Sequence, residues 1–230
     1  MSKPTSVTPT GDTVRVTTHS GSVTVIGEDR PDILVEDDVD RIAAGADEVE
    51  IKSNSGSITV RCPVDTHVFA GTSSGSVSLQ GHLGRVHVTS ASGNITIAHV
   101  QSADARTNSG SIDVADCDGE CRCRTPSGSI RIGRAGSVDL VAASGSVEGT
   151  AVGAATVHVG SGSVDLGIIE LDRIEVDAHS GSVSITLPAG SHPATDLHAG
   201  SGAVRCDCTP GDNGAVRVTT GSGSITVTER

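Results

Sequence analysis

Cysteines are the residues of this 230-residue chain with the greatest capacity for chemistry. Three of the six cluster in the segment CDGECRC, at Cys117, Cys121 and Cys123, and Cys206 and Cys208 form the short motif CDC. Closely spaced thiolates can bind zinc or exchange disulfides. Structural zinc sites typically pair their cysteines as C-x-x-C, however, and neither segment has that spacing. The cysteine spacing alone therefore does not predict a metal site.

Histidines, serines and acids also lack the arrangements that catalysis usually requires. The nine histidines are scattered and form neither H-x-H nor H-E-x-x-H, and the recurring serine belongs to S-G-S rather than to a nucleophile elbow. The acidic run Glu36, Asp37, Asp38 and Asp40 offers oxygen ligands but lacks the spacing of a calcium loop. We predict no catalytic residue, no metal ligand and no cofactor, so the protein is not expected to be an enzyme.

A repeated four-residue motif is the main organising feature of the chain. Serine, glycine, a small residue and then Val or Ile recur eleven times, and between Gly56 and Gly181 successive glycines are 17 to 19 residues apart. Such a short repeat, rich in β-branched residues, predicts one solenoid coil per repeat. The expected fold is all-β, a single-stranded parallel β-solenoid (β-helix) of about 11 coils, with a right-handed turn. The repeat glycines are Gly21, Gly56, Gly75, Gly93, Gly110, Gly128, Gly145, Gly162, Gly181, Gly202 and Gly223.

Alternating apolar residues flank every repeat glycine. Two and four residues after it the chain carries mostly Val, Ile or Leu, and apolar residues also dominate seven and five residues before it. This period of two is typical of strands with one buried face. The alternation slips by one residue at the glycine, which predicts a structural corner there. The serine before it shares the inward parity, so we expect stacked hydroxyls inside or beside the corner.

The same alignment changes the interpretation of the cysteines. Cys121 and Cys123 occupy the two apolar positions before Gly128, and Cys206 stands in the Val and Ile column after Gly202. Free cysteine behaves as a small buried hydrophobe, so we predict buried thiols rather than ligands or disulfides. A third, weaker apolar position follows the glycine by seven or eight residues, at Leu83, Val100, Cys117, Ala135, Val152 and Ile169.

Composition and charge exclude several classes of function. The formal net charge of −12 disfavours phosphate-backbone contacts, and with neither Trp nor Tyr the chain lacks the usual platforms for stacking bases. We therefore expect no nucleic-acid binding. The first residues include no apolar signal segment, and no stretch approaches roughly 18 apolar residues, so we expect a cytoplasmic protein without direct membrane insertion.

The sequence predicts one repetitive domain with a modified start. We expect a flexible leader over residues 1–10, and a first coil with an acidic cap segment over 11–50. The repetitive β-solenoid then runs over 51–230 as one domain with 11–50. Whether the acidic stretch 28–48 binds a cation stays open. The last repeat is followed by no cap of its own, which predicts an exposed C-terminal edge able to form an end-to-end homo-oligomer.

Three sequence features together resemble a known family. These are the recurring S-G-[SN]-[VI] corners, the leading segment V-R-V-x-x-x-S-G-S-V and the sequence C-P-V-D-T at Cys62–Thr66. Over roughly residues 11–230 the chain is similar to the bacterial putative adhesin domain family. The resemblance implies a Ser/Gly-rich β-solenoid with an adhesin-like surface role. That family offers no established catalytic residues to transfer to this chain.

We therefore expect a non-catalytic, adhesin-like structural or interaction scaffold that binds a protein or glycan partner. One alternative is a carbohydrate-active enzyme, a lyase or hydrolase built on the same scaffold. Three or more acids, histidines or arginines converging in one groove would favour it. The other alternative is a scaffold that self-assembles through its C-terminal edge.

Overall fold

A computed structural model describes residues 4–8 and 11–230, in which every regular element is a β-strand. The expected all-β fold of stacked parallel coils is confirmed. The chain divides into two compact units, Met1–Cys117 (unit 1) and Asp118–Arg230 (unit 2), which are described separately.

The strands follow one another along the chain with few residues between them. Unit 1 contains β1 (Thr5–Val7), β2 (Thr13–Ser20), β3 (Val23–Glu28), β4 (Ile33–Val35), β5 (Arg41–Ala44), β6 (Glu48–Ser55), β7 (Ile58–Pro63), β8 (His67–Ser74), β9 (Val77–Ser92) and β10 (Ile95–Ser109). The bounds of β11 are Ile112–Ser127, so it contains the last residues of unit 1 and the first of unit 2. Unit 2 continues with β12 (Ile130–Ser144), β13 (Val147–Ser161), β14 (Val164–Ile168), β15 (Arg173–Ser180), β16 (Val183–Leu187), β17 (Ala194–Ser201), β18 (Val204–Asp207), β19 (Ala215–Ser222) and β20 (Ile225–Glu229).

Each repeat glycine lies at the bend between two strand segments of a coil. At Gly75 the φ angle is +150°, and a Cβ atom would lie 2.2 Å from the carbonyl oxygen of Gly21 in the neighbouring coil. A side chain there would clash with backbone, so glycine is required. Positive φ angles of 103° to 150° occur at Gly21, Gly56, Gly75, Gly128, Gly145, Gly162, Gly181, Gly202 and Gly223. At Gly93 the close approach alone excludes a side chain, since a Cβ would lie 1.9 Å from the Gly75 carbonyl oxygen.

The predicted inward columns form the core, with exceptions at two places. Val14, Val16, Val23 and Val25, for example, are all 0% exposed. At the third apolar position, seven or eight residues after the glycine, the prediction is wrong for Ile169, which is 53% exposed. Ile168 takes the buried position instead, because β14 pairs with β13 through Ile168 and Val152 after a register shift. The other exceptions lie in β17 and β18 and are described below.

The corner serines lie in register beside the corner, as in the pairs Ser20 with Ser74 and Ser92 with Ser109, but the expectation that they share the inward orientation is wrong. Ser20, Ser74 and Ser109 are solvent-exposed because the inward parity already ends three residues before the glycine. Buried hydroxyls instead occupy that position, at Thr18, Thr72, Ser90, Thr107, Thr125 and Thr220. They hydrogen-bond to corner carbonyls of adjacent coils, as in Thr72 Oγ1 to Gly21 O at 2.9 Å and Thr107 Oγ1 to Gly93 O at 3.0 Å. A hydroxyl contact between corner serines does occur from Ser222 to Ser180, at 3.4 Å.

The coils of unit 1 are not stacked in chain order. Strand β2 pairs in parallel with both β6 and β8, so that Val14 is opposite Val49 on one side and Val68 on the other. Strand β3 likewise pairs with both β7 and β9. The first coil of the sequence is therefore inserted between the second and third.

The acidic segment lies along the far side of the β6 and β7 coil. Strand β5 pairs antiparallel with β6, β4 pairs antiparallel with β7, and β1 pairs antiparallel with β4. These pairings cover a sheet edge that would otherwise present unpaired backbone groups. Thr5–Val7 thus forms a strand within the expected flexible leader, and residues 1–3, 9 and 10 of that leader lie outside the described residues.

A second insertion occurs in unit 2. Strand β19 pairs with both β15 and β17, and β20 pairs with both β16 and β18. The prediction that the C-terminal coil is the exposed edge is therefore wrong, because that coil is paired on both sides. The coil of β17 and β18 ends the stack instead, which leaves its inward residue Val204 47% exposed. No described residue belongs to an apolar helix of membrane-spanning length.

Candidate binding face of unit 1

Phe69, the one aromatic residue of the Phe, Tyr and Trp classes in the chain, lies on the outside of unit 1. The period of two along β8 explains this position, because Val68 and Ala70 on either side of it are buried. The ring is partly exposed on the outer surface of the sheet formed by β6, β2, β8, β9 and β10. A large apolar side chain in an outward column marks this surface as a candidate binding face.

Two neighbouring side chains flank the Phe69 ring. Strand pairing places Arg15 of β2 opposite Phe69, and the guanidinium carbon lies 4.5 Å from the ring centroid in a cation–π contact. On the other side β9 places His87 opposite Phe69, with ring centroids 6.0 Å apart and tilted by 50°. The result is an Arg15–Phe69–His87 column that runs across three adjacent strands.

Carboxylates hold both ends of this column. Arg15 Nε is 3.1 Å from each carboxylate oxygen of Glu48, and Arg15 Nη2 is 3.1 Å from Glu48 Oε2. His87 Nδ1 is 3.4 Å from Asp104 Oδ2, and Asp104 also accepts hydrogen bonds from Arg106 at 3.0 and 3.1 Å. These contacts restrict the rotamers of the column and leave its centre the most apolar part of the face.

A glycine flanked by two threonines borders the Phe69 ring. Gly71 follows Phe69 at the next outward position of β8, and a Cβ there would have Thr89 Oγ1 at 3.2 Å, Thr17 Cγ2 at 3.7 Å and Thr89 O at 4.0 Å as its nearest neighbours. The flanking threonines add hydroxyl groups that can donate or accept hydrogen bonds.

The charge of this face differs from that of the chain. We define the Phe69 face as the outward residues Glu48, Glu50, Lys52, Thr13, Arg15, Thr17, His67, Phe69, Gly71, Arg85, His87, Thr89, Ser102, Asp104 and Arg106. It carries four basic side chains against three carboxylates, although the formal net charge of the whole chain is −12. Lys52 Nζ is 2.6 Å from Glu50 Oε1, and its hydrogen bond lowers the pKa of that carboxyl. The face is thus the less acidic part of an acidic protein.

The acidic run noted in the sequence contacts residues of β6 and β7 at the edge of unit 1. Glu36 pairs with Arg61 at 2.6 Å, and Asp37 Oδ2 accepts a hydrogen bond from the backbone N–H of Thr59 at 2.6 Å. Asp40 Oδ2 accepts one from the backbone N–H of Asn54 at 2.5 Å. These carboxylates bind separate groups along β6 and β7 instead of converging on one point.

The cysteines divide into buried and exposed sets. Cys117, Cys121 and Cys123 are buried as predicted, and the Sγ atoms of Cys121 and Cys123 are 3.6 Å apart. Burial raises the pKa of the Cys62 thiol to about 11. The prediction for Cys206 is wrong, because it is exposed in the open terminal coil and is disulfide-bonded to Cys208.

A groove in unit 2 lies beside the beginnings of β15, β17 and β19. Its volume is about 640 Å³, and its charged lining residues are Asp172, Arg173, Asp196, Asp212 and Arg217. This is the kind of convergence that would favour an enzyme. Arg217 Nε, however, is 3.1 Å from Asp196 Oδ2, so this carboxylate is already paired with a cation of the groove.

Comparisons with known proteins place the chain in a family. No match was found among proteins with curated descriptions. A putative cell adhesion protein from Clostridium sporogenes ATCC 15579 is 10% identical, with a TM-score of 0.28 over 99% of this chain and 100% of that one. A putative adhesin from Bacteroides fragilis NCTC 9343 is 13% identical, with a TM-score of 0.48 over 98% and 96% of the two chains. Neither likeness is close enough to support a conclusion about function.

The family model described as Toastrack DUF4097 matches residues 6–151, which is more than half of the chain. The matched residues include all of the strands that build the Phe69 face. The protein therefore belongs to the Toastrack DUF4097 family.

Proposed function

We propose that this protein is a non-catalytic, adhesin-like interaction scaffold, and that the Phe69 face of unit 1 binds a partner protein. The observation that carries the proposal is the Arg15–Phe69–His87 column. Aromatic and arginine side chains are enriched among the residues that dominate protein–protein binding energy. Here an arginine and an aromatic side chain lie together on a regular strand surface. Glu48 restricts the rotamer of Arg15, and Asp104 restricts that of His87.

The surroundings of the ring favour a protein over a glycan. A sugar ring binds an aromatic side chain by lying on an open ring face. Arg15 covers the Phe69 ring at 4.5 Å on one side, and His87 lies against it on the other. The partly exposed ring, with Gly71 and its flanking threonines beside it, suits contact with an apolar side chain of a partner protein instead. Since basic groups outnumber acids on the face, the favoured partner surface carries carboxylates around that apolar side chain.

The alternative enzyme has one observation in its favour, the charged groove of unit 2. Its acids lie beside two arginines. A general acid or base must lie within hydrogen-bond reach of the substrate's proton, and Asp196 is already paired with Arg217 at 3.1 Å. Turnover of a polysaccharide that is abolished by Asp196→Asn would support the enzyme over the scaffold.

Site-specific photo-crosslinking in the native cells tests the proposal. A benzophenone amino acid replaces the exposed Thr89 beside Phe69 in one variant, and the exposed Thr96 of β10, outside the Phe69 face, in a control variant. We expect one reproducible protein to be linked from position 89 and not from position 96. Phe69→Ala in the position-89 variant should abolish the adduct, while circular dichroism shows an unchanged fold.

Three outcomes would refute the proposal. The same adducts could form from both positions, or the adduct from position 89 could survive Phe69→Ala. A link from position 89 to a second copy of this chain would show that the Phe69 face mediates self-association instead of binding a different protein. Light scattering measures that association independently. For an end-to-end assembly of unit 2, the exposed surface is the coil of β17 and β18 rather than the C-terminal coil.

A further inference from the structure

We infer that His82 and His99 of unit 1 form a binding site for a divalent transition-metal ion such as Zn²⁺. This inference is independent of the partner-binding face. It rests on two histidines from adjacent coils, on the irregularity of the strand that brings them together, and on the carboxylates beside their rings.

A bulge in β9 places the two histidines side by side. Ile97 pairs with Leu79, but the next pair is His99 with His82, so β9 contains one more residue than β10 over this stretch. The extra residue is accommodated at Gly81, whose φ angle is +73° and whose Cβ would lie 1.9 Å from the carbonyl oxygen of Gly27. Bulges of this kind redirect side chains and are frequent beside functional sites. Without it His82 would not lie opposite His99.

The two imidazole rings are close enough for both to bind one ion. Their centroids are 4.3 Å apart with an interplanar angle of 63°, and ring nitrogens of the two lie within 4.8 Å of each other. Two ligands at Zn–N distances of roughly 2.0–2.1 Å in a tetrahedral site have their nitrogens about 3.3 Å apart. Small rotations about the side-chain bonds would close the remaining distance, and both side chains are partly exposed, so such rotations are allowed.

A carboxylate lies near Nδ1 of each ring. His82 Nδ1 is 3.0 Å from Asp65 Oδ1, within hydrogen-bond distance, and His99 Nδ1 is 3.9 Å from Asp116 Oδ2. A metal-bound histidine almost always donates its second ring N–H to a carboxylate, a backbone carbonyl or a water. The 3.0 Å contact directs Nδ1 of His82 at Asp65, so Nε2 of His82 is the nitrogen for the metal, and a small rotation would give His99 the same arrangement with Asp116. Asp116 Oδ1, which is buried without a hydrogen-bond partner, is a further oxygen beside His99.

Asp65 is itself held firmly in place. Its φ angle is +61°, its backbone N–H donates to the carbonyl oxygen of His82 at 3.2 Å, and its Oδ1 accepts a hydrogen bond from Gln101 Nε2 at 2.9 Å. A side chain that orients a ligand must have a fixed rotamer, and these contacts supply the restriction.

Other histidine and aspartate pairs in the protein provide the appropriate comparison. His158 Nδ1 is 3.4 Å from Asp177 Oδ2 in unit 2, for example, which is an ordinary surface contact between the two residue types. What distinguishes His82 and His99 is the contact between two such histidines. Imidazole ligands suit Zn²⁺, Cu²⁺ and Ni²⁺ rather than Mg²⁺ or Ca²⁺, which defines the class of ion.

Isothermal titration calorimetry with ZnCl₂ tests the inference on the full chain. The titration is done without reductant, so that the Cys206–Cys208 disulfide stays intact. Wild type should bind one Zn²⁺ through this site, and His82→Gln or His99→Gln should raise the Kd at least tenfold. Asp65→Asn should weaken binding about tenfold through the orientation of His82. His158→Gln is the matched control and should leave the Kd unchanged.

Cobalt substitution supplies a second readout that does not depend on heat. Binding of Co²⁺ through His82 and His99 should produce visible absorption bands that both glutamine variants lose and that His158→Gln retains. The inference is overturned if the glutamine variants bind Zn²⁺ as wild type does. It is equally overturned if wild type shows no saturable binding, or if His158→Gln weakens binding as much as the other two substitutions. Circular dichroism confirms that each variant is folded.

Discussion

Truncating the residue two positions after a corner glycine should have very different effects in the last two coils of the sequence. Ile225 of β20 is 0% exposed because β16 and β18 pair on its two sides, whereas Val204 of β18 is 47% exposed at the end of the stack. To compare identical deletions, Ile225→Val serves as the reference for Ile225→Ala, and wild type serves for Val204→Ala. Both comparisons then remove the same two methyl groups of valine.

The expected magnitudes follow from the two burials. At position 225 the two methyl groups are worth about 1.6 kcal/mol of transfer free energy, and the cavity left in a coil paired on both sides raises the loss to about 2–3 kcal/mol. Val204 is already about half exposed, so removing its two methyl groups loses only about half of that transfer free energy. Solvent fills the space that the methyl groups leave, so no cavity forms, and the free energy of unfolding should fall by about 0.8 kcal/mol or less. Urea unfolding followed by circular dichroism measures both changes in the free energy of unfolding.

This comparison distinguishes the observed coil order from the order of the chain. If coils were stacked as they follow one another in the sequence, Val204 would be interior and Ile225 would lie at the open end. A larger loss at position 204 than at position 225 would therefore refute the insertion of β19 and β20. Equal losses would refute the exposure of the β17 and β18 coil.

Three further predictions follow from the core, the buried hydroxyls and the cysteines. Ile130→Asp should unfold unit 2, because it buries a charge at a 0% exposed position. Arg131→Ser removes the exposed 3.3 Å pair with Glu148 and should lower the free energy of unfolding by less than about 1 kcal/mol. Similar melting temperatures for the two variants would contradict the register. Thr107→Val should lower the free energy of unfolding by about 1 kcal/mol by leaving the Gly93 carbonyl without its 3.0 Å donor, and Thr89→Val at an exposed position should leave it within about 0.5 kcal/mol. After mild reduction, iodoacetamide at pH 8 should modify Cys206 and Cys208 but spare Cys62. The raised pKa of about 11 leaves roughly one Cys62 thiol in a thousand ionised at that pH. Rapid modification of Cys62 in the native protein, detected by mass spectrometry of its peptides, would disprove its burial.

The core could be predicted from the sequence because strand alternation is a local property. Val14 and Val16 are inward for the same reason as Val216 and Val218, namely the backbone period of two. The need for glycine at the corner is similarly local. The corner serine was assigned to the inward side because the strand alternation was extended as far as the glycine. The alternation ends two residues earlier, where the chain begins to change direction.

The order of the coils could not be predicted, because it depends on contacts between repeats that look alike. Val49 and Val68 are equally suitable partners for Val14, so neither the hydrophobic pattern nor the register distinguishes one neighbour from the other. Spacing provides a partial signal. The glycine intervals are 35 residues after Gly21 and 21 residues on each side of Gly202, all longer than the usual 17 to 19. The extra length allows the chain to pass over one coil and return.

The candidate binding face depends on this order. The outward positions of Arg15, Phe69 and His87 were available from the alignment, since all three stand six residues before a corner glycine. Their contact was not, because in chain order the coil of Glu50 would separate Arg15 from Phe69. The exposure of Cys206 has the same origin, since its coil lies at the end of the stack.

Disulfide trapping in unit 1 tests the central claim most directly, that an inserted first coil assembles the Phe69 face. Thr17 and Gly71 are paired neighbours on adjacent strands, and a Cβ at Gly71 would lie 3.7 Å from Thr17 Cγ2. Lys52 is separated from Gly71 by strand β2, at about 9.6 Å from two strand spacings, which exceeds the reach of a disulfide. In a Cys206→Ser, Cys208→Ser background, oxidation should link Thr17→Cys to Gly71→Cys and leave Lys52→Cys and Gly71→Cys unlinked, as read by peptide mass spectrometry. A disulfide from position 52 to position 71, with none from 17 to 71, would contradict the account.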